Sequence, residues 1–357
     1  MSQMFRLSFC VVGLFFLSYC GPLGCSFGYL IDLGAGQLQV LTNQVPLEDV
    51  FQDPKISETQ KEKIRLVVQA KKFGEIALGF TPNNNYTSFY DTQGKAVSYN
   101  VCACAPDCFE SKIWWFPIVG EIPYLGYFEL ESALKKSKQL KAEGYDVLVS
   151  EVSAYSTLGW FSDPIFSAML ERSSTELINL ILHESTHAYI YLPNESNFNE
   201  TLANFVADKG TELFLQQFSK NEWEAQYQQE RTEKEHYMNF LNSIYEQLKN
   251  LYAGEFPQED TLKWKKYILE TAAQEYRSLK KYTLKSDDYI EEFPVDRINN
   301  AYFSIFRTYH QDIPVFEQLY NAQGKDLKKM LVFLKELKFS QDPFDEIRFW
   351  LNGSAPP

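Results

Sequence analysis

Histidine is scarce in this chain of 357 residues, which carries only four, so the arrangement of those four is informative. Basic charge is short as well: 34 Lys and Arg stand against 47 Asp and Glu, for a net charge of −13. Nucleic-acid phosphates repel such a chain, so no nucleic-acid partner is expected. Glycine, at 17 residues, is too sparse for a disordered or repeat protein, and no internal repeat or low-complexity tract is visible. The apolar run over residues 7–19 is too short to be a comfortable permanent membrane span. Aromatic side chains are abundant, at 16%. Together these features suit a dense, helix-rich globular enzyme.

Two of the four histidines fall in His183-Glu184-Ser185-Thr186-His187. On an α-helix, residues four apart share a face, so both imidazoles can be turned toward one metal ion. Glu184, beside the first of them, can accept the proton of an attacking water. The surroundings predict the helix. Ser173 and Glu176 form a capping-box pattern, an apolar run from Leu177 to Leu182 follows, and Pro193 ends the segment.

A catalytic zinc site needs a third protein ligand. Glu195 sits beside Pro193 and Asn194 in a predicted turn, a poor platform for a rigid ligand. Glu200 opens a second apolar-periodic helix (Leu202, Phe205, Val206, Leu213, Phe214), and is the expected ligand if that helix returns antiparallel. The alternative is that Asn197 and Glu200 form only a capping box. Asn204, one turn after Glu200, is a candidate to accept a hydrogen bond from a ligand imidazole and fix its tautomer.

These segments together resemble a known family. The stretch from Tyr155 to Pro164, the His183–His187 motif, and Phe198-Asn-Glu-Thr-Leu-Ala203 resemble a bacterial family of predicted aminopeptidases, of the gluzincin type of metallopeptidase. The likeness extends to Phe116–Gly120, Pro123–Phe128 and Asn299-Asn-Ala301, and so covers most of the mature chain. It implies His183, His187 and Glu200 as zinc ligands and Glu184 as catalytic base. It also implies a zincin-like fold: α+β, mostly helical, with a small sheet bordering the cleft and a helical C-terminal region. Cys102, Cys104 and Cys108 depart from the family pattern.

The N-terminus reads as an export signal over residues 1–24: Arg6, then the apolar run, then small residues leading to Cys25. Pro22-Leu23-Gly24-Cys25 resembles a lipobox, with Pro22 where an aliphatic residue is preferred. It implies a lipid on Cys25, membrane anchoring, and a periplasm-facing or surface location. Of the remaining thiols, Cys108 is expected to pair with Cys102 or Cys104, or all three to be inert.

Helices are expected over residues 28–42, 57–78 and 129–143, with short strands and loops over 81–128. Residues 145–153 alternate as a strand, which in zincin folds borders the cleft and pairs with extended substrate. Tyr155 to Trp160 would then line the cleft mouth, or Trp160 and Phe161 would be core. Residues 221–252 and 258–283 predict an αα-hairpin, with His236 on its solvated face. Helical segments at 299–310 and 314–338 complete one unit over 25–357, two-lobed around the 183–200 site. The reading is a zinc-dependent peptidase acting on peptides. Tyr155, Tyr302, Tyr309 and His310 are candidates to stabilise the transition state, and Glu151 to read a substrate ammonium. Two rivals are a non-catalytic peptide-binding protein of the envelope and a metal-dependent amidase acting on a non-peptide substrate.

Overall fold

The computed structural model describes residues 27–353 except 117–119, 158–160, 219–220, 287–288, 290, 296, 311 and 338–341. The signal segment and Cys25 lie outside the described residues, as does Trp160. From the N-terminus, α1 (Phe27–Asn43), β1 (Val45–Pro46), α2 (Leu47–Gln52) and α3 (Glu58–Phe73) lead into a π-helical turn (Gly74–Leu78). The strand-rich part follows: β2 (Ser88–Tyr90), β3 (Ser98–Cys104), β4 (Trp114–Phe116), β5 (Gly120–Ile122) and β6 (Tyr124–Tyr127). Then come α4 (Leu130–Ala142), β7 (Asp146–Val152), β8 (Ile165–Phe166), a short 3₁₀ turn, α5 (Ser174–Tyr189) and α6 (Ser196–Phe218). Six more helices finish the chain among the described residues: α7 (Asn221–Tyr252), α8 (Gln258–Tyr282), α9 (Asn300–His310), α10 (Ile313–Ala322), α11 (Leu327–Glu336) and α12 (Pro343–Leu351). The architecture is α+β and mostly helical, with small sheets.

The sheet that matters most has the order β6-β3-β7, all antiparallel. Central β3 is covered on both faces, which explains its nearly continuous burial. Tyr99, Val101 and Ala103 pack with residues of α1 and α4, while Cys102 and Cys104 face Ala301 of α9. The strand predicted over 145–153 is β7, and it lies at the sheet edge.

Two larger cores flank this sheet. One gathers α3, α5, α6, α10, α11 and α12, with Phe198, Leu202, Val206 and Phe316 fully enclosed. The other is built by the α7–α8 hairpin with α9, around Ile244, Leu248, Tyr276 and Phe303. His236 is exposed on α7, as its charged neighbours predict. The single segment expected over 314–338 is two helices, because Gly324 and Lys325 turn left-handed (φ 72 and 59) and Asp326 caps a new start.

The pair Asn299-Asn300 ties the C-terminal helices to the sheet. Asn299 Nδ2 donates to Val147 O at 3.1 Å. Asn300 is fully buried; its Nδ2 donates to Ala105 O and Cys108 O, and its Oδ1 accepts from Tyr252 Oη. The Asn300 backbone N–H meets Asp146, which also pairs with buried Lys265. Removing one amide would orphan two carbonyls and a phenol at once. Asn300→Ala is therefore expected to cost about 3 kcal/mol, read as a lowered urea midpoint with an unchanged slope.

Candidate metal centre

The helix α5 starts where the sequence predicts. Ser173 Oγ accepts from Glu176 N at 3.2 Å and Glu176 Oε2 accepts from Ser173 N at 3.0 Å, closing a capping box. Leu177, Ile178, Ile181 and Leu182 are wholly buried on one side. Each contributes roughly 1.5–3 kcal/mol of apolar burial, enough to hold the polar side of the helix in place. That side carries His183, Glu184 and His187.

The return into α6 is set by the turn over 190–195. Asn199 closes it with both ends of its amide: Oδ1 accepts from Leu192 N at 2.8 Å and Nδ2 donates to Leu192 O at 2.7 Å. The β4–β5 hairpin docks on the same turn, where Glu121 N donates to Asn194 Oδ1 at 2.9 Å. Gly120 is required there, since its φ is 78 and a Cβ would meet that oxygen at 2.0 Å.

Glu200 is thereby laid against the two histidines. The two Nε2 atoms are 3.1 Å apart, and Glu200 Oε2 stands 3.3 Å from His183 Nε2 and 3.4 Å from His187 Nε2. Donors held 2.0–2.1 Å from a tetrahedral ion stand roughly 3.3–3.4 Å from one another. The triangle has those dimensions, so the three residues could hold a metal ion. The capping-box alternative for Glu200 is not formed: Glu200 lies inside α6, and Asn197 Oδ1 is buried without a hydrogen-bond partner among the described residues.

Electrostatics at the centre are strongly coupled. Burial pushes the Glu184 carboxyl above its ordinary value, against the pull of His183 and His187. Burial also acts on Glu200, but the two imidazoles outweigh it and hold that carboxyl well below the usual range. His187 is disfavoured as a cation by burial, yet Glu200 raises its pKa overall. Nearby Asp163 is pushed up to about 6 by burial, and its carboxylate accepts from Thr157 N at 3.0 Å.

The centre opens into a cavity of ≈ 1060 Å³ between the β6-β3-β7 sheet and helices α5, α6 and α7. Among the residues singled out from sequence, Tyr155, Glu151 and Asn204 line it. The Tyr155 phenol donates to Gln37 Oε1 at 2.8 Å. Glu151 is exposed and lies opposite Tyr99 in register. Cross-strand partners share a face, so its side chain leaves the sheet on the side of the α1–α4 packing. Asn204 does not bond His187 Nδ1, which is buried without a hydrogen-bond partner among the described residues. Tyr302 belongs to the α7–α9 core instead, bonded to Tyr237 at 3.2 Å. The side chains of Tyr309 and His310 lie outside the described residues. Phe161 is exposed rather than core. Cys102, Cys104 and Cys108 are all free thiols, so neither expected pairing is formed.

Two cleft residues escaped the sequence reading. Tyr124 of β6 lies within the electrostatic reach of both Glu200 and Glu184, and its phenol makes no hydrogen bond among the described residues. Arg172 precedes the cap of α5 and also lines the cleft. Tyr124 is far from the histidine motif in sequence and reaches it only through the sheet packing, whereas Arg172 lies one residue before the cap of the same helix and is turned toward Ser153 at the end of β7.

One family model, described as "Putative aminopeptidase", matches residues 28–346. The chain belongs to that family. Neither a curated protein nor a solved structure matches it significantly. The family match spans the strand-rich part, the triangle and the C-terminal helices alike, so the name attaches to the whole assembly rather than to the histidine motif alone.

The geometry makes Glu200→Ala decisive. Elemental analysis should find about one metal equivalent in the purified parent and well below that in the variant. Full occupancy in Glu200→Ala would remove this residue from the centre.

Proposed function

We propose that the protein is a zinc-dependent peptidase on a zincin-like fold, acting as an aminopeptidase. The observation carrying the reading is the convergence of His183, His187 and Glu200 beside Glu184, on a cleft bordered by a sheet-edge strand. Two nitrogens and one carboxylate oxygen form a donor set suited to catalytic zinc, with His183, His187 and Glu200 as the holders. When bound, zinc supplies Lewis acidity toward water and the scissile carbonyl.

The chain supplies the rest. The outer edge of β7 offers backbone N–H and C=O groups to an extended peptide. Glu184 takes the proton of the attacking water and returns it to the leaving amine. The Tyr124 phenol donates a hydrogen bond to the carbonyl oxygen as negative charge develops there. Residues 1–24 act as a lipoprotein-type signal, Cys25 carries the lipid, and the single unit over 25–357 works at the membrane surface, outside the cytoplasm.

Glu184→Gln should keep its zinc and its circular-dichroism spectrum while kcat on a peptide falls at least about a hundredfold, the usual scale for a lost general base. Cleavage at the parent rate would dismiss Glu184 as the base. The same assay run on a peptide with a free N-terminus and on its acetylated twin tests the aminopeptidase assignment, since equal cutting of both makes the enzyme an endopeptidase.

Tyr124→Phe is expected to lower kcat roughly a hundredfold with little change in KM, because the lost bond is made only as the transition state forms. A rise in KM with kcat intact would move Tyr124 from catalysis to binding.

A further inference from the structure

Three cations line the cleft: Arg172, Arg231 and Lys234. Two are already neutralised, Arg231 by Glu212 and Lys234 by Asp208 at 3.6 Å. Arg172 differs. Its Nε and Nη2 both point at one neutral acceptor, Ser153 Oγ, at 3.3 and 2.9 Å. It has no carboxylate partner among the described residues, and its Nη1 makes no hydrogen bond among them. A guanidinium has five N–H donors in a planar fork that matches a carboxylate, and a half-buried one with no carboxylate in contact is an open anion receptor. The residue is also held firmly, because Lys63 Nζ donates to the Arg172 carbonyl at 2.8 Å and to Leu170 O at 2.5 Å. Ser153 directly follows the edge strand β7, so the fork stands at the end of the surface along which a peptide would lie. Arg172 and Glu184 line the same cleft.

We propose that Arg172 reads a carboxylate of the substrate, making short peptides with a free C-terminus, or peptides with an acidic side chain near the scissile bond, the preferred ligands of this cleft. The inference rests on the peptidase reading, and its test is built to separate the two. Binding is measured by calorimetry in the Glu184→Gln background, where turnover does not interfere, with and without Arg172→Gln. The probes are a neutral tetrapeptide, its C-terminal amide, and that amide with one Glu in place of Gln at each position in turn. With Arg172 present, one carboxylate-bearing probe binds at least tenfold tighter than the Gln-containing amide. With Arg172→Gln that ratio falls to about one. A preference for the free acid over the amide assigns the C-terminus, and a preference among the Glu amides assigns the side chain. Equal binding of acid, amide and Glu-containing probes with Arg172 present overturns the proposal. So does a preference that survives Arg172→Gln, or an equal loss on every probe. Peptide binding without cleavage by the parent protein would instead sink the peptidase reading and leave the receptor standing.

Discussion

The chain between Tyr189 and Ser196 must reverse direction and still present Glu200 to two imidazoles on the preceding helix. The rest of the molecule is arranged around that demand. Asn199 locks the turn from inside, while Asn194, in a left-handed conformation, offers its side chain to the β4–β5 hairpin. A non-glycine residue at position 120 would push that hairpin off the turn and loosen the seat of α6.

Two carboxyls and two imidazoles so close together are expensive to enclose, since burial disfavours the charged forms of Glu184, His187 and Glu200. Part of the cost is offset within the cluster by the attraction between Glu200 and the imidazoles. The remainder falls on the apolar faces of α5 and α6, which pack into the largest core of the molecule. Gly210 illustrates how tight that packing is: an added Cβ would come within 2.9 Å of Leu182. Helix α7 lines the cleft through Tyr227, Glu230, Arg231 and Lys234, while the second core, under α7–α9, meets the sheet through Asn299 and Asn300.

Much of this was legible along the chain, and the boundary of legibility is physical. The helix bearing His183 and His187 was readable because its cap, its apolar run and its terminating proline are all local. Strand β7 and the α7–α8 hairpin were readable for the same reason. Glu200 needed one non-local step, an antiparallel return, and the short turn makes that step nearly forced. Tyr124 was out of reach because its relation to the centre exists only through strand register, and Arg172, though next to the cap of α5, because its side-chain direction is set by Ser153 beyond β7. Tyr302 misled for the converse reason. An aromatic on an amphipathic helix gives no sign of which wall it faces, and this one faces a core.

The three thiols gain a new meaning from where β3 runs. Cys102 and Cys104 sit on its α9-facing side, and burial holds both thiols protonated, with pKa values pushed up to about 12. Exchange with disulfides proceeds through the thiolate, so these sulfurs are slow to react whatever oxidant surrounds the folded molecule. Cysteine here behaves as a small hydrophobe. The sheet shelters two of the three thiols among the described residues, and Cys108, in the segment after β3, is half-exposed. For Cys102 and Cys104 the exposed interval is the one before β3 is covered, which makes the order of folding, rather than the finished fold, the point where redox conditions can reach them.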